Sequence, residues 1–311
     1  MSAPTELAEA VALSGEEWRA RQRAYADRVE PLVAPHEVRR ARGQSHPVED
    51  FLFMYYVYRP NQLRRWHPGA EVALRGADDA PHRDWPHYRF GPGGLGVDIA
   101  GFAERRRGIV LFVRRLMRST LDRAGSYSCF GAHEWAMVYR QSPAERRHDT
   151  WPLRADADRI AAVVEQRPLV CTHVDAFRFF TDAARPLNHR QLQRDDQLAS
   201  EQPGCLHAGM DLYKWAYKLV PITSSDLVLD CFELARRIRY VDMQASPYDL
   251  SALGVEPIEI DTVAGRTTYT RKQREFAAAA APLRRRLLAA VDLVIDHAPH
   301  LAGRSTGIAE M

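Results

Sequence analysis

Apolar residues recur at helical spacing along most of this chain, and that periodicity limits the fold more than any single motif. In CLHAGMDLYKWAYKLV, Leu206, Met210, Tyr213, Tyr217 and Val220 stand at i, i+4, i+7, i+11 and i+14, the stripe of an amphipathic helix. Similar runs are GFAERRRGIVLFVRRLMRSTLDRAG, HEWAMVYR, ADADRIAAVVEQ, DAFRFFTDAAR and SSDLVLDCFELARRIRYVDMQ. The spacing predicts a mainly α protein: a compact helical domain with one long Pro/Gly-rich loop and a small β-hairpin.

Punctuation residues set the expected boundaries. Ser14 with Glu17 forms a capping box, opening a helix that Pro31 should end. A second, apolar helix follows Ser45 and should stop before Pro60. Residues 68–98 are rich in Pro, Gly and Asp and read as a mobile loop or lid, placed to cover a pocket. Strand-like segments are few: PLVCTH, and IEIDTVAGRTTYT, whose Ala-Gly pair between β-branched runs predicts a hairpin. Pro282 should kink or split the last helix. The organisation expected is one domain over 1–311, with a motif-bearing core at 30–250 and the hairpin and last helix within 255–300.

A chain of 311 residues can bury a sizeable core, and 46% hydrophobic with 27% charged residues is an ordinary globular balance. The balance of 43 Lys+Arg against 40 Asp+Glu leaves +3, so a nucleic-acid surface would need local clustering. Candidate clusters are the arginines at 105–107, 114–115, 236–237 and 284–286. No signal-like N-terminus and no long uncharged apolar stretch appears, so a cytoplasmic protein with no membrane partner is expected. Cys129, Cys171, Cys205 and Cys231 form no C-x-x-C pair, which excludes a zinc-finger pattern and leaves reduced thiols as the expectation.

Three of these cysteines are followed by a histidine and then a carboxylate: Cys129, His133, Glu134; Cys171, His173, Asp175; Cys205, His207, Asp211. The three segments are expected to converge on one pocket. One reading makes His133, His173, His207 and Asp211 ligands of zinc or iron, as in an oxygenase built in a helical bundle. The other assigns no metal and treats His207, His173, Asp175 and Glu134 as acid–base groups, the remaining possibility being helix caps and buried histidines. Asp211 and Lys214, at i and i+3, suit a carboxylate base held ionised by an ammonium. Equally, His207, Asp211, Lys214 and Lys218 make the polar stripe of any surface helix.

Aromatic residues crowd two segments. Tyr55, Tyr56 and Trp66 in the first, and Tyr213 and Trp215 in the second, are candidates to stack a flat ligand such as a nucleobase, or else to form a large core. GPGGLG at 91–96 matches G-x-G-x-x-G but lacks a buried strand before it, so it reads as a turn.

HPVEDFLFMYYVYRPNQLRRWHPG, SCFGAHEWAMVYR, CTHVDAFRFF, EQPGCLHAGMDLYKWAYKL and DMQASPYDL together resemble a bacterial family labelled 3-methyladenine DNA glycosylase, from about residue 30 onward. The resemblance implies hydrolysis of the N-glycosidic bond of an alkylated purine, with damaged DNA or a free nucleobase as partner and no cofactor. It is not to the helix–hairpin–helix glycosylases, whose PG-x-G spacing Pro92–Gly96 misses by one residue, so no catalytic aspartate carries over. Alternatives are the metal-dependent enzyme and a non-catalytic nucleobase- or nucleic-acid-binding protein.

Overall fold

A computed structural model describes residues 11–142, 145 and 151–301. Among them are eleven α-helices and one small sheet, a mainly helical architecture. In order, β1 (Val11–Leu13) and α1 (Gly15–Ala41) are followed by the short α2 (Phe51–Tyr55) and α3 (Pro60–Leu63). Then come β2 (Val72–Leu74), β3 (Tyr88–Gly91), β4 (Gly94–Val97) and α4 (Ile99–Leu121). Short helices α5 (Ala132–Ala136), α6 (Ala157–Glu165), α7 (Val174–Phe177) and α8 (Gln197–Ser200) lead to α9 (Leu206–Lys218), α10 (Ser225–Ala245) and α11 (Val263–His297). No helix among the described residues is long and apolar enough to cross a membrane.

The chain divides into two compact units. One draws on residues up to Met117, on Tyr213–Cys231 and on the stretch from Arg285; the other comprises Arg118–Leu212 and Phe232–Arg284.

In the first unit α1 opens with the expected capping box: Ser14 Oγ accepts from the Glu17 N–H, and the Glu17 carboxylate accepts from the Ser14 N–H. Pro31 does not end this helix, which runs on through Pro35 to Ala41. Both prolines are exposed, so the carbonyls they leave unbonded face solvent and the break is tolerated. The buried face carries Trp18 and Tyr25, whose hydroxyl donates to the Leu63 carbonyl at 2.6 Å.

Residues 68–98 are not a structureless loop, as they carry three of the four strands. The sheet order is β1-β2-β4-β3, with β1 parallel to β2 and the other neighbours antiparallel. GPGGLG is the turn between β3 and β4: Gly91 pairs with Gly94, which has φ +119° and passes so close to the Leu74 carbonyl that a side chain has no room.

The small hairpin therefore lies at 88–97, and the one expected at 258–270 is absent. Val263–His297 is one helix. Thr262 caps it, its hydroxyl accepting from the Gly265 N–H at 3.0 Å. Gly265 marks no turn; it lets the helix approach the Glu259 carbonyl. The threonines that suggested a strand cost only tenths of a kcal/mol each in a helix, which the Ala/Arg/Leu-rich continuation outweighs. Pro282 lies inside α11 without splitting it. PLVCTH forms no strand either, only a bridge between Leu169 and Asn188.

Candidate functional site

The second unit holds a dense group of buried polar side chains. His133, Glu134, His173, Glu201, Asp211, Arg239 and Asp242 are each at most 6% exposed. Burying charge at this density is expensive unless every group is paired or bound to an ion.

A turn of unusual conformation places His133. Phe130 has φ +51° and Gly131 φ +79°, so two successive residues are left-handed before α5 begins. A Cβ on Gly131 would meet Ala245 at 3.0 Å and the Tyr269 ring at 3.1 Å. Only glycine lets α5 come this close to its neighbours.

His133 then lies in a line of three groups. Its Nδ1 is 3.5 Å from Cys129 Sγ and its Nε2 is 2.9 Å from Asp242 Oδ1. On α10, one turn before Asp242, Arg239 donates from one nitrogen to Asp242 Oδ2 at 2.9 Å and to Glu134 Oε1 at 2.7 Å. Burial alone would strip the His133 proton, but the facing Asp242 carboxylate outweighs it and holds the pKa well above the usual imidazole value. Burial would likewise raise Asp242; His133 and Arg239 overcome that and keep it ionised. Glu134 goes the other way, burial raising its pKa despite Arg239.

His207 is set between two rings, 4.5 Å from His133 edge-on and 5.2 Å from His173 nearly stacked. Burial, reinforced by His133, pushes its pKa well down and leaves the ring neutral. No ring nitrogen of His207 hydrogen-bonds to another described residue.

His173 is differently occupied. As the cap of α7 its Nδ1 accepts from the Ala176 N–H at 3.2 Å, while Nε2 lies 3.2 Å from Asp211 Oδ2. A ring accepting at Nδ1 carries its proton on Nε2, so His173 donates to Asp211.

Two sets of three potential ligand atoms, each set mutually within 4.8 Å, result: His133, His207 and Asp242, and His173, Glu201 and Asp211. A cavity of about 10 Å³ lies against His133 and His207 of the first set, lined also by Cys129, Cys171, Cys205, Tyr269 and Gln273. That is room for one water-sized group. The Gln273 amide nitrogen donates to the Gly204 carbonyl, and its Oε1 has no partner among the described residues. Outside this cavity a larger pocket, about 330 Å³, is also lined by Cys129.

The structure thus brings residues of the three Cys-His segments, Cys129 with His133, Cys171, and Cys205 with His207, around one cavity, while Glu134 is paired with Arg239 and Asp211 with His173. Asp175 is placed elsewhere, half-buried and 3.8 Å from Arg178. Lys214 belongs to the first unit, its Nζ 4.6 Å from the centre of the Trp215 ring. Tyr55, Tyr56 and Tyr213 also belong there and pack on one another, Tyr56 edge-on to Tyr213 at 5.4 Å and to Tyr55 at 4.9 Å. Trp66 is buried against His82. Among the arginine clusters, Arg284 is wholly buried and Arg114 is paired with Asp292.

Sequence reasoning missed Asp242, Arg239, Glu201 and Gln273. Asp242 and Arg239 share one helix face at i−3, a weak signal, and nothing local announces Gln273. No protein-family model matches this chain, and no curated protein or solved structure matches it.

Proposed function

We propose that this protein is a metal-dependent enzyme whose ion would be held by His133 Nε2, which gives up its proton on binding, by His207 and by Asp242. Two imidazoles and one carboxylate on one side of an ion, with the remaining positions open, suit non-haem Fe(II), and the same donors also accept zinc. The observation that carries the reading is His207. Its half-buried ring, set between those of His133 and His173, offers a nitrogen within 4.8 Å of ligand atoms of His133 and Asp242, the spacing of three donors around one ion.

The surroundings supply what such an ion needs. Arg239 orients Asp242 through its second oxygen, and Cys129 orients His133 through Nδ1. The 10 Å³ cavity admits one small ligand, and Gln273 Oε1, which has no partner among the described residues, would be free to accept a hydrogen bond from it. The His173–Asp211 pair, its proton already committed, is a proton relay beside the ion and not part of its first coordination sphere.

Metal analysis of protein purified without chelator, followed by anaerobic Fe(II) and Zn(II) titration of the stripped protein, tests the reading. One ion per chain, lost in His207→Gln, is expected. No saturable binding up to millimolar metal would overturn it.

N-glycosidic hydrolysis of an alkylated purine, as the resemblance implies, is the second reading. The 330 Å³ pocket beside Cys129 supports it, being within the range of small-ligand sites, although Asp211, the water-activating base expected from the sequence, does not line it. Release of 3-methyladenine from alkylated DNA by metal-stripped protein would favour this reading over the first.

A further inference from the structure

We infer that the pocket beside Cys129 binds an organic monocarboxylate with a small apolar body. The small size follows from a volume of about 330 Å³, at the lower end of small-molecule sites. As a substrate site this rests on the metal reading; as a binding site it stands on the pocket alone.

The walls are largely apolar, with Val163, Leu169, Val170, Ile260 and the Phe130 ring among them, so the body of the ligand is hydrocarbon. The charge of the lining decides the rest. Three arginines, Arg159, Arg167 and Arg266, face one carboxylate, Asp261. Arg159 is consumed by Asp261 and Glu259, its Nε lying 2.8 Å from Asp261 Oδ2. Arg266 donates from one terminal nitrogen to the Ile260 and Asp261 carbonyls, which neutralise none of its charge. Arg167 pairs with no described residue. One or two positive charges thus remain for a ligand, which matches a carboxylate, and the guanidinium fork fits its two oxygens. An amine of the same shape would be repelled, and an alcohol would leave the fork unused. Cys129 lines both this pocket and the small cavity, so the ligand's pocket and the cavity lined by His133 share one wall.

The test is calorimetric titration with octanoate, octanol and octylamine, on metal-stripped and on metal-loaded protein. Octanoate should bind both forms at least tenfold more tightly than the alcohol or the amine. Arg167→Gln, at an exposed position, should lower octanoate affinity about tenfold without altering the melting temperature. Val163→Trp should abolish binding by filling the pocket. Equal binding of all three probes, no octanoate binding, or full affinity in Arg167→Gln would overturn the inference while leaving the metal reading intact. Octanoate binding by a protein that takes up no metal would overturn only the latter.

Discussion

His133 Nε2 lies 2.9 Å from Asp242 Oδ1, although the two residues are 109 positions apart in the chain. Neither group is more than 3% exposed, so the contact is made away from water and is worth keeping only if its charges are matched.

Asp242→Asn keeps the shape of the side chain and removes its charge. It should weaken Fe(II) or Zn(II) binding by at least 10–100-fold, the loss usual when a residue that only orients a ligand is changed, and so a lower bound for a ligand itself. Cys129→Ser, which touches His133 at Nδ1 and not at Nε2, should leave the metal stoichiometry unchanged. Elemental analysis of both variants after gel filtration checks the pair.

Arg239 is the one basic side chain bonded to both Glu134 and Asp242 among the described interactions. Arg239→Met should therefore cost about 3–5 kcal/mol, because two carboxylates lose their buried partner. A companion variant, Arg239→Met with Glu134→Gln and Asp242→Asn, should recover part of that. Urea midpoints read both; a single variant as stable as the parent would refute the charge-matching argument.

His67 sits in the first unit, 2.9 Å from the Tyr88 hydroxyl, its pKa pushed down to about 3 chiefly by burial. A depressed histidine stays neutral in the fold while the unfolded chain takes up a proton below its ordinary 6.5. Its stabilising effect is thus complete above pH 6.5 and is lost as pH falls toward 3. The loss should reach about 2–3 kcal/mol by pH 4.5. Urea unfolding at pH 7.5 and 4.5 should show it, and His67→Gln should remove that part of the slope.

Gly131→Ala should destabilise by about 1–3 kcal/mol, since its φ of +79° disfavours a side chain and the new methyl meets Ala245 and Tyr269. Metal affinity should fall with it, because the same turn sets Cys129 and His133.

Pro282 lies exposed within α11, where it removes a backbone hydrogen bond and contributes no buried contact. Pro282→Ala should raise the unfolding free energy by about 1–3 kcal/mol. A drop in melting temperature would mean that the proline shapes the helix.

The sequence alone determined the mainly helical class, the capping box at Ser14 and the amphipathic α9, since capping and periodicity act within a few residues and survive whatever packs against them. It also marked the Cys-His segments as belonging together, because their composition repeats. Residues 263–270 were legible too, since the helix-forming continuation that outweighs their threonines is in the sequence. Two features were decided only by tertiary structure. Pro31 and Pro35 continue a helix because they face solvent. Asp242 and Arg239 became partners of His133 and Glu134 because α10 packs beside α5, a long-range contact whose charge matching leaves no periodic trace in either segment.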